Sequence, residues 1–469
     1  MDRLRKLREE AEAAARPLAE SDPTRPVFHF RPHANWMNDV CAAFVHSGWY
    51  HIFYQFTPLQ DNAPKDYGWG HARSRDLVSW EILPEALIPD RDKGEFGYAS
   101  GSAILTDDGD PVLFFAWTPV GVWENTAKRE QRAALSVDEE LLEWRTVEIG
   151  LKPGENGVPA DIPGSWADMY VFRADGRVFA VFKSSDGLLC EARNRELTDW
   201  HAVGRIEGIS GECPNFFPLD GKYVLLQSTY PISYQIGDFD AAAFRFVPDT
   251  PNRTMDYGYG LEQPHNHARG IYGTTTTTDE TGRTLLFGWV SGFEPGRGWN
   301  GCMGLPRELS IDSEGFLIQT PARELSCLRG ARTSLETFRL EDASRELSES
   351  SGGTWEIKVA IRPADSGRCG LRLLRGDHHV SDILIDLQGD TLNAAGTEVP
   401  GAVGEDRRFV DLQVFLDRSV LEVFVNGGRQ TVTKVVQAEP VKVRPTVFAE
   451  GGMAEFSRLE AWRVDSIWG

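Results

Sequence analysis

No stretch of the chain approaches the run of about 20 apolar residues that a membrane-spanning helix requires. Nor is there an excess of basic residues to form a face for nucleic acid or anionic lipid. Lys and Arg number 49 against 70 Asp and Glu, a formal net charge of −21, so neither nucleic acid nor membrane is an expected partner. Cysteine is scarce: the six in 469 residues are Cys41, Cys190, Cys213, Cys302, Cys327 and Cys369, with no Cys-x-x-Cys pair. Such scatter is neither a disulfide framework nor a zinc motif, and reduced thiols in a cytoplasmic protein are expected. The opening segment, Met1 to Glu20, is charged throughout and lacks the apolar core of a secretory leader. It reads as a short helix ending near Pro17, within an N-terminal extension over residues 1–27.

What the chain does have is turn formers and aromatics, with 46 Gly, 26 Pro and 14 Trp. Its length predicts two or three domains. From residue 28 onward, short runs rich in aromatic and β-branched residues, such as Trp49–Tyr54, Pro111–Phe115, Val178–Phe182 and Tyr223–Gln227, alternate with Gly-containing turn signals. An internal echo narrows the all-β class. Arg75-Asp-Leu-Val-Ser-Trp80, Glu139-Glu-Leu-Leu-Glu-Trp144 and Arg195-Glu-Leu-Thr-Asp-Trp200 share a Leu-x-x-Trp form at intervals of about 60 residues, the size of a propeller blade. A β-propeller over residues 28–325 is therefore expected. The polar stretch Arg339–Gly352 reads as a surface connection. Beyond it, Leu412–Val425 reads as two alternating strands joined at Asp417-Arg-Ser419, part of a β-sandwich over residues 336–469.

Three acidic residues sit in aromatic or apolar surroundings: Asp39 after Trp36-Met-Asn38, Asp168 in Trp166-Ala-Asp-Met-Tyr170, and Glu212 before Cys213-Pro214. A carboxyl so placed is partly buried with a shifted pKa or lies in a cleft. Taken singly, such a residue is more often a turn or capping group. Three on strands that converge in a propeller funnel favour catalysis. Cys41 and Cys213 read as small space-fillers, since no adjacent histidine offers a base.

These stretches fall in an order that resembles glycoside hydrolase family 32, the invertases, inulinases and levanases. The resemblance rests on His29-Phe-Arg-Pro32 with Trp36-Met-Asn-Asp39, then Tyr54-Gln55, Trp69-Gly-His-Ala-Arg-Ser74, Ser100-Gly-Ser-Ala103, Glu212–Pro218, Leu305-Pro-Arg-Glu-Leu309 and Phe415–Phe424. It implies a five-bladed propeller followed by a sandwich, and a retaining hydrolysis of β-fructofuranosides. It further implies Asp39 as nucleophile, Glu212 as acid/base and Asp168 as transition-state stabiliser. The expected sugar-lining positions are Asn38, Trp36, Gln55, Trp69, Ser102, Trp166, Cys213, Arg269, Tyr272 and Trp299. The aromatics among them are individually more often core residues in a propeller, and Trp36 and Trp166, beside the two aspartates, are the ones placed in the site. The expected partner is a small carbohydrate, with no cofactor and no metal.

Two departures from the family pattern stand out. Its Asn-Asp-Pro-Asn-Gly segment is here Asn38-Asp-Val-Cys-Ala42, and its Arg-Asp-Pro is Ala167-Asp-Met169. Ala167 has no side-chain donor for a fructosyl ring, so weak turnover of sucrose is expected. Extra residues Glu262–Arg269 offer His265, His267 and Arg269 as replacement donors; the two histidines alone do not make a metal site. Two other readings remain beside hydrolysis of fructosides: a changed glycone or a fructosyltransferase, and an inactive carbohydrate-binding relative. The three retained carboxyls speak against the last.

Overall fold

The Leu-x-x-Trp echo is a turn that ends each of three sheets. Its leucine takes the left-handed conformation in every copy, with φ of 60° at Leu77, 59° at Leu141 and 56° at Leu197. The indole N–H of Trp80, Trp144 and Trp200 donates to that leucine's carbonyl at 3.1, 3.1 and 2.8 Å. Side-chain oxygens of Asp76, Asp138 and Asn194 accept backbone N–H groups across the turn. A left-handed leucine costs about 1–2 kcal/mol; burying its side chain offsets this, and all three leucines are buried. The tryptophan then opens the outermost strand of its sheet, at Trp80–Leu87, Trp144–Glu148 and Trp200–Arg205.

The computed structural model describes residues 2–62, 66–121, 129–162, 166–184, 187–258, 270–347, 352–375, 383–403, 409–436 and 443–468. Five antiparallel sheets follow one another along the first part of the chain. Their first strands are Asn35–His46, Glu95–Leu105, Ala167–Ala174, Glu212–Leu219 and Ile271–Thr278. Each touches the next and the fifth returns to the first, which makes a five-bladed propeller with these strands around its axis. Trp299–Asn300, from the chain of the fifth blade, pairs in parallel with Asn35–Trp36 of the first and ties the ring shut.

The helix spans Asp2–Ser21 and runs through Pro17 rather than ending near it. Tertiary anchors outweigh the proline's missing N–H. The Arg8 guanidinium, 1% exposed, pairs with both oxygens of Glu85 at 2.9 Å in the first blade, and Glu12 accepts the Ala34 N–H at 3.3 Å.

The C-terminal part is a β-sandwich organised by one 22-residue strand, Val443–Val464. It pairs with Arg368–Arg375 and Thr354–Arg362, and also with Phe338–Glu346 and Arg329–Leu335. Residues 338–346 are therefore a strand and not the surface connection expected from their polarity. Their backbone pairs with Val443–Val464 on either side of a bulge at Asp342 while most of their side chains face solvent, so the apolar alternation that marks a strand is missing. The Leu412–Val425 hairpin forms as expected, with Asp417 opposite Val420 and Arg418 at φ 55°.

A buried charge cluster joins the two parts. Arg307, 0% exposed, donates to Glu422 at 2.8 Å, Asp256 at 3.2 Å and Gln319 at 2.7 Å. His29 lies between Asp417, at 2.8 Å, and Glu422, at 3.1 Å. Burial opposes protonation of His29, but its hydrogen bonds to the two carboxylates win and push its pKa up to about 9.

Arg307→Met should destabilise the protein by about 3–5 kcal/mol, because it strands two buried carboxylates; a denaturant titration followed by tryptophan fluorescence checks this. For His29 the folded pKa lies above the unfolded one. Its contribution to stability should be complete below about pH 6.5 and disappear as pH rises through about 9. His29→Gln should remove that part of the pH dependence.

Candidate active site

The first strand of every blade slips register near the same end. The shifts fall between Met37 and Val40, Tyr98 and Gly101, Glu212 and Asn215, and Tyr272 and Thr275; in the third blade the shift lies between Val181 and Lys183 on the strand opposite Ala167. Bulges re-aim side chains that regular pleating would alternate between the two faces. Left-handed residues sit at three of these points: Asp168 at φ 56°, Cys213 at 43° and Gly273 at 51°. Held away from relaxed backbone in this way, the segments aim polar groups into one funnel.

Asp39 Oδ2 accepts the Ser100 hydroxyl at 2.6 Å and the Cys213 thiol at 3.5 Å. Gln55 Nε2 in turn donates to Ser100 Oγ at 3.1 Å. Asp168 Oδ2 accepts the Cys213 backbone N–H at 3.1 Å. Cys213 thus reaches both aspartates, and Glu212 is its chain neighbour. Glu212 Oε1 is paired with the Lys183 ammonium, and Glu212 Oε2 lies 3.0 Å from the Tyr272 hydroxyl. The same hydroxyl lies 2.9 Å from the Ser228 carbonyl oxygen. That carbonyl can only accept. The single phenolic proton is shared between that carbonyl and the Glu212 carboxyl, both of which accept. Tyr230, 48% exposed, stacks on Tyr272 at 5.1 Å.

Burial pushes the Asp39 carboxyl up to about 6, with a further rise from the charge of Glu212 and an opposing pull from the Ser100 hydrogen bond. Burial likewise raises Asp168 to about 6; the nearby Lys183 ammonium lowers it and Glu212 raises it. Burial keeps both Cys41 and Cys213 thiols protonated, so they serve as donors and packing groups.

Asp39, Asp168, Glu212, Cys213, Gln55 and Tyr272 therefore come together. Asn38 joins them by accepting the Asp39 N–H at 2.8 Å. Trp36 is on the Asp39 strand and 6% exposed. Several expected positions lie elsewhere. Ser102 accepts the Val171 N–H at 2.9 Å and links the second blade to the third; the bulge before Gly101 hands the site contact to Ser100 instead. Trp69 is a core residue whose indole donates to the Tyr98 carbonyl at 3.2 Å. Trp166 packs on Phe182 in another core cluster. Trp299 lies under the N-terminal helix with its indole on Asp22 at 2.8 Å. Each of these three is at most 2% exposed and has almost no surface for a ligand. His265, His267 and Arg269 lie outside the described residues.

Ser100, Lys183, Ser228, Tyr230 and Gly273 were not foreseen. A Cβ at Gly273 would stand 2.1 Å from Asp39 Oδ1, so glycine is needed for the carboxyl to fit. Lys183 did leave a signal, as the charged residue that follows the apolar run Val178–Phe182.

Residues 29–321 match the glycosyl hydrolases family 32 N-terminal domain and residues 324–463 match the family 32 C-terminal domain. Among curated proteins, the chain is 28% identical to a levanase of Bacillus subtilis, over 95% of this chain and 71% of that protein. It is 27% identical to a sucrose-6-phosphate hydrolase of Zymomonas mobilis, over 97% and 95%. Among solved structures, fructan 1-exohydrolase IIa of Cichorium intybus superposes with a TM-score of 0.82 at 20% identity, over 95% of this chain and 98% of that one. A Bombyx mori β-fructofuranosidase in complex with sucrose superposes with a TM-score of 0.77 at 24% identity, over 98% and 99%.

The Ser100 hydrogen bond holds Asp39 down against its burial. Ser100→Ala should therefore raise the Asp39 titration above about 6, by about one unit for a lost hydrogen bond to a charged group. Carbon NMR of labelled aspartate carboxyls reads this directly.

Proposed function

The chain belongs to glycosyl hydrolases family 32, and from that premise we propose that it is an exo-acting β-fructofuranosidase working on short fructosides with retention of configuration. The observation that carries the proposal is that Asp39 and Asp168 both bond to Cys213 while Glu212, the residue before it, acts electrostatically on both, with different hydrogen-bond partners for each carboxyl. Double displacement needs one ionised and one protonated carboxyl at the same pH. In retaining enzymes these stand about 5–5.5 Å apart, leaving no room for an intervening water.

Asp39 has the partners of a carboxylate, receiving donors from Ser100 and Cys213. In this reading it attacks the anomeric carbon as the glycosidic C–O bond breaks. Glu212, held beside the Tyr272 hydroxyl through Oε2, passes a proton from Oε2 to the departing oxygen. Glu212 then takes a proton from water as the water displaces Asp39 and frees the sugar. Asp168, anchored by the Cys213 N–H, supplies negative charge beside the oxocarbenium-like transition state. The outward face of Tyr230 is suited to stack on the leaving-group sugar. The B. subtilis levanase, the Z. mobilis hydrolase and the C. intybus exohydrolase all take fructosyl substrates by name, which supports the fructoside class.

The test is release of fructose from sucrose, 1-kestose, inulin oligomers, levan oligomers and 4-nitrophenyl β-D-fructofuranoside. Absence of turnover on all of them would refute the proposal. Asp39→Ala should lower kcat by several orders of magnitude on every substrate. Glu212→Ala should do so on the natural sugars but be partly rescued on the nitrophenyl substrate, whose leaving group needs no proton.

The pH profile follows from burial. Asp39 must be ionised to attack, so kcat/KM should fall as pH drops through about 6. With Asp168 titrating near the same value, the limb should be steeper than a single protonation. A flat profile between pH 5 and pH 7 would mean that Asp39 titrates below this range in the working enzyme, and that burial does not raise it.

A further inference from the structure

We propose that Lys183 contacts the substrate and determines glycone specificity, donating to a sugar oxygen between Asp168 and Glu212 and giving up its hold on Glu212 as the sugar enters. This rests on the hydrolase reading above, and it adds a residue that the acid/base chemistry does not itself require.

The argument begins in the pleat. Lys183 and Ala167 are opposed residues on the antiparallel strands Arg177–Lys183 and Ala167–Ala174, paired just beyond the bulge after Val181. Opposed residues of an antiparallel pair share a face, with Cβ atoms about 4.5–5.5 Å apart. Ala167, 1% exposed, fills its part of that face with a single methyl. That methyl packs with Ala99 and Ala116, and from the opposed position Lys183 reaches across to Glu212 in the next blade.

The ammonium ends among the acids. It pairs with Glu212, and it also acts on Asp168, whose carboxyl it draws back down against burial. Its side chain is 27% exposed, so it opens to the funnel. An ammonium has three N–H donors and can hold Glu212 and a sugar oxygen together. Asp39 and Asp168 are acceptors only when ionised, so a polyol bound against them still needs donors for its own oxygens. Ala167 has none to give, and Lys183 stands opposite it.

The contact with Glu212 has a consequence for turnover. While Oε1 is held by Lys183 and Oε2 faces Tyr272, the carboxyl is not free to turn Oε2, which carries the proton, toward a leaving group. A substrate whose hydroxyl draws the ammonium toward Asp168 releases Oε1. A sugar lacking an oxygen there leaves Lys183 on Glu212 and is turned over slowly even when bound.

The experiment compares wild type, Lys183→Met, Lys183→Arg and Ala167→Val. Fructose affinity is measured by calorimetry, and kcat and KM on the fastest natural substrate of the panel above and on the nitrophenyl fructofuranoside. Thermal denaturation confirms folding. Losing a hydrogen bond from a charged donor should weaken fructose binding about 10- to 100-fold in Lys183→Met. It should lower kcat/KM on both substrates, since the glycone is common to them. Lys183→Arg should recover part of the loss. Ala167→Val, which adds bulk at the position paired with Lys183, should weaken fructose binding in the same direction.

Fructose affinity unchanged in both Lys183→Met and Ala167→Val would overturn the proposal. So would a loss confined to the natural substrate, which would place the effect of Lys183 on Glu212 alone. If wild type cleaves no fructofuranoside, the hydrolase reading fails and this one fails with it. If wild type cleaves them and Lys183→Met matches it, only this one fails.

Discussion

Two buried aspartates, Asp39 and Asp168, and the more open Glu212 stand close enough to repel one another, and much of the site serves to make that arrangement tolerable. Desolvation and mutual repulsion both favour the neutral acids, and Asp39 and Asp168 are accordingly raised to about 6. Against this stand the Ser100 hydroxyl, the Cys213 thiol and N–H, and the Lys183 ammonium. Each is aimed at one particular oxygen, so the carboxyls differ in environment although they share a funnel. That difference is what acid/base chemistry exploits.

The donors arrive by a backbone device that recurs around the ring. A regular strand would send alternate side chains outward and could place one polar residue per blade at the axis. Slipped register near the funnel end of each blade lets consecutive residues contribute, as with Asn38 and Asp39 or Glu212 and Cys213. Left-handed backbone at Asp168 and Cys213 is the strain this requires. The ring closure and the Leu-x-x-Trp turns hold the blades against it.

The most family-like stretches divide between two tasks. Trp36–Asp39 and Glu212–Pro218 build the funnel. His29, Arg307, Asp417 and Glu422 instead form the buried seam between propeller and sandwich. A buried ionic seam is poor as a source of stability but severe toward partial loss, so it fixes how the two parts meet.

The sequence by itself determined the all-β class, the blade repeat and the three acidic positions, because period-2 alternation, turn chemistry and a carboxyl among aromatics are all local signals. It misled where local polarity and tertiary role diverge. The strand Phe338–Glu346 has mostly exposed side chains yet a backbone paired on both sides of one bulge, and Pro17 sits inside a helix held by Arg8. Trp69, Trp166 and Trp299 have the composition of a sugar platform, but packing decided their burial. Tertiary structure alone selected Ser100 over Ser102, since Ser100 falls inside the slipped segment at the funnel end while Ser102 lies in the regular ladder beyond it. It also brought Lys183 opposite Ala167, since strand register is a long-range property that no window of sequence contains. Which side chains bear charge could be read along the chain; which of them share a desolvated volume was settled by how the five blades close.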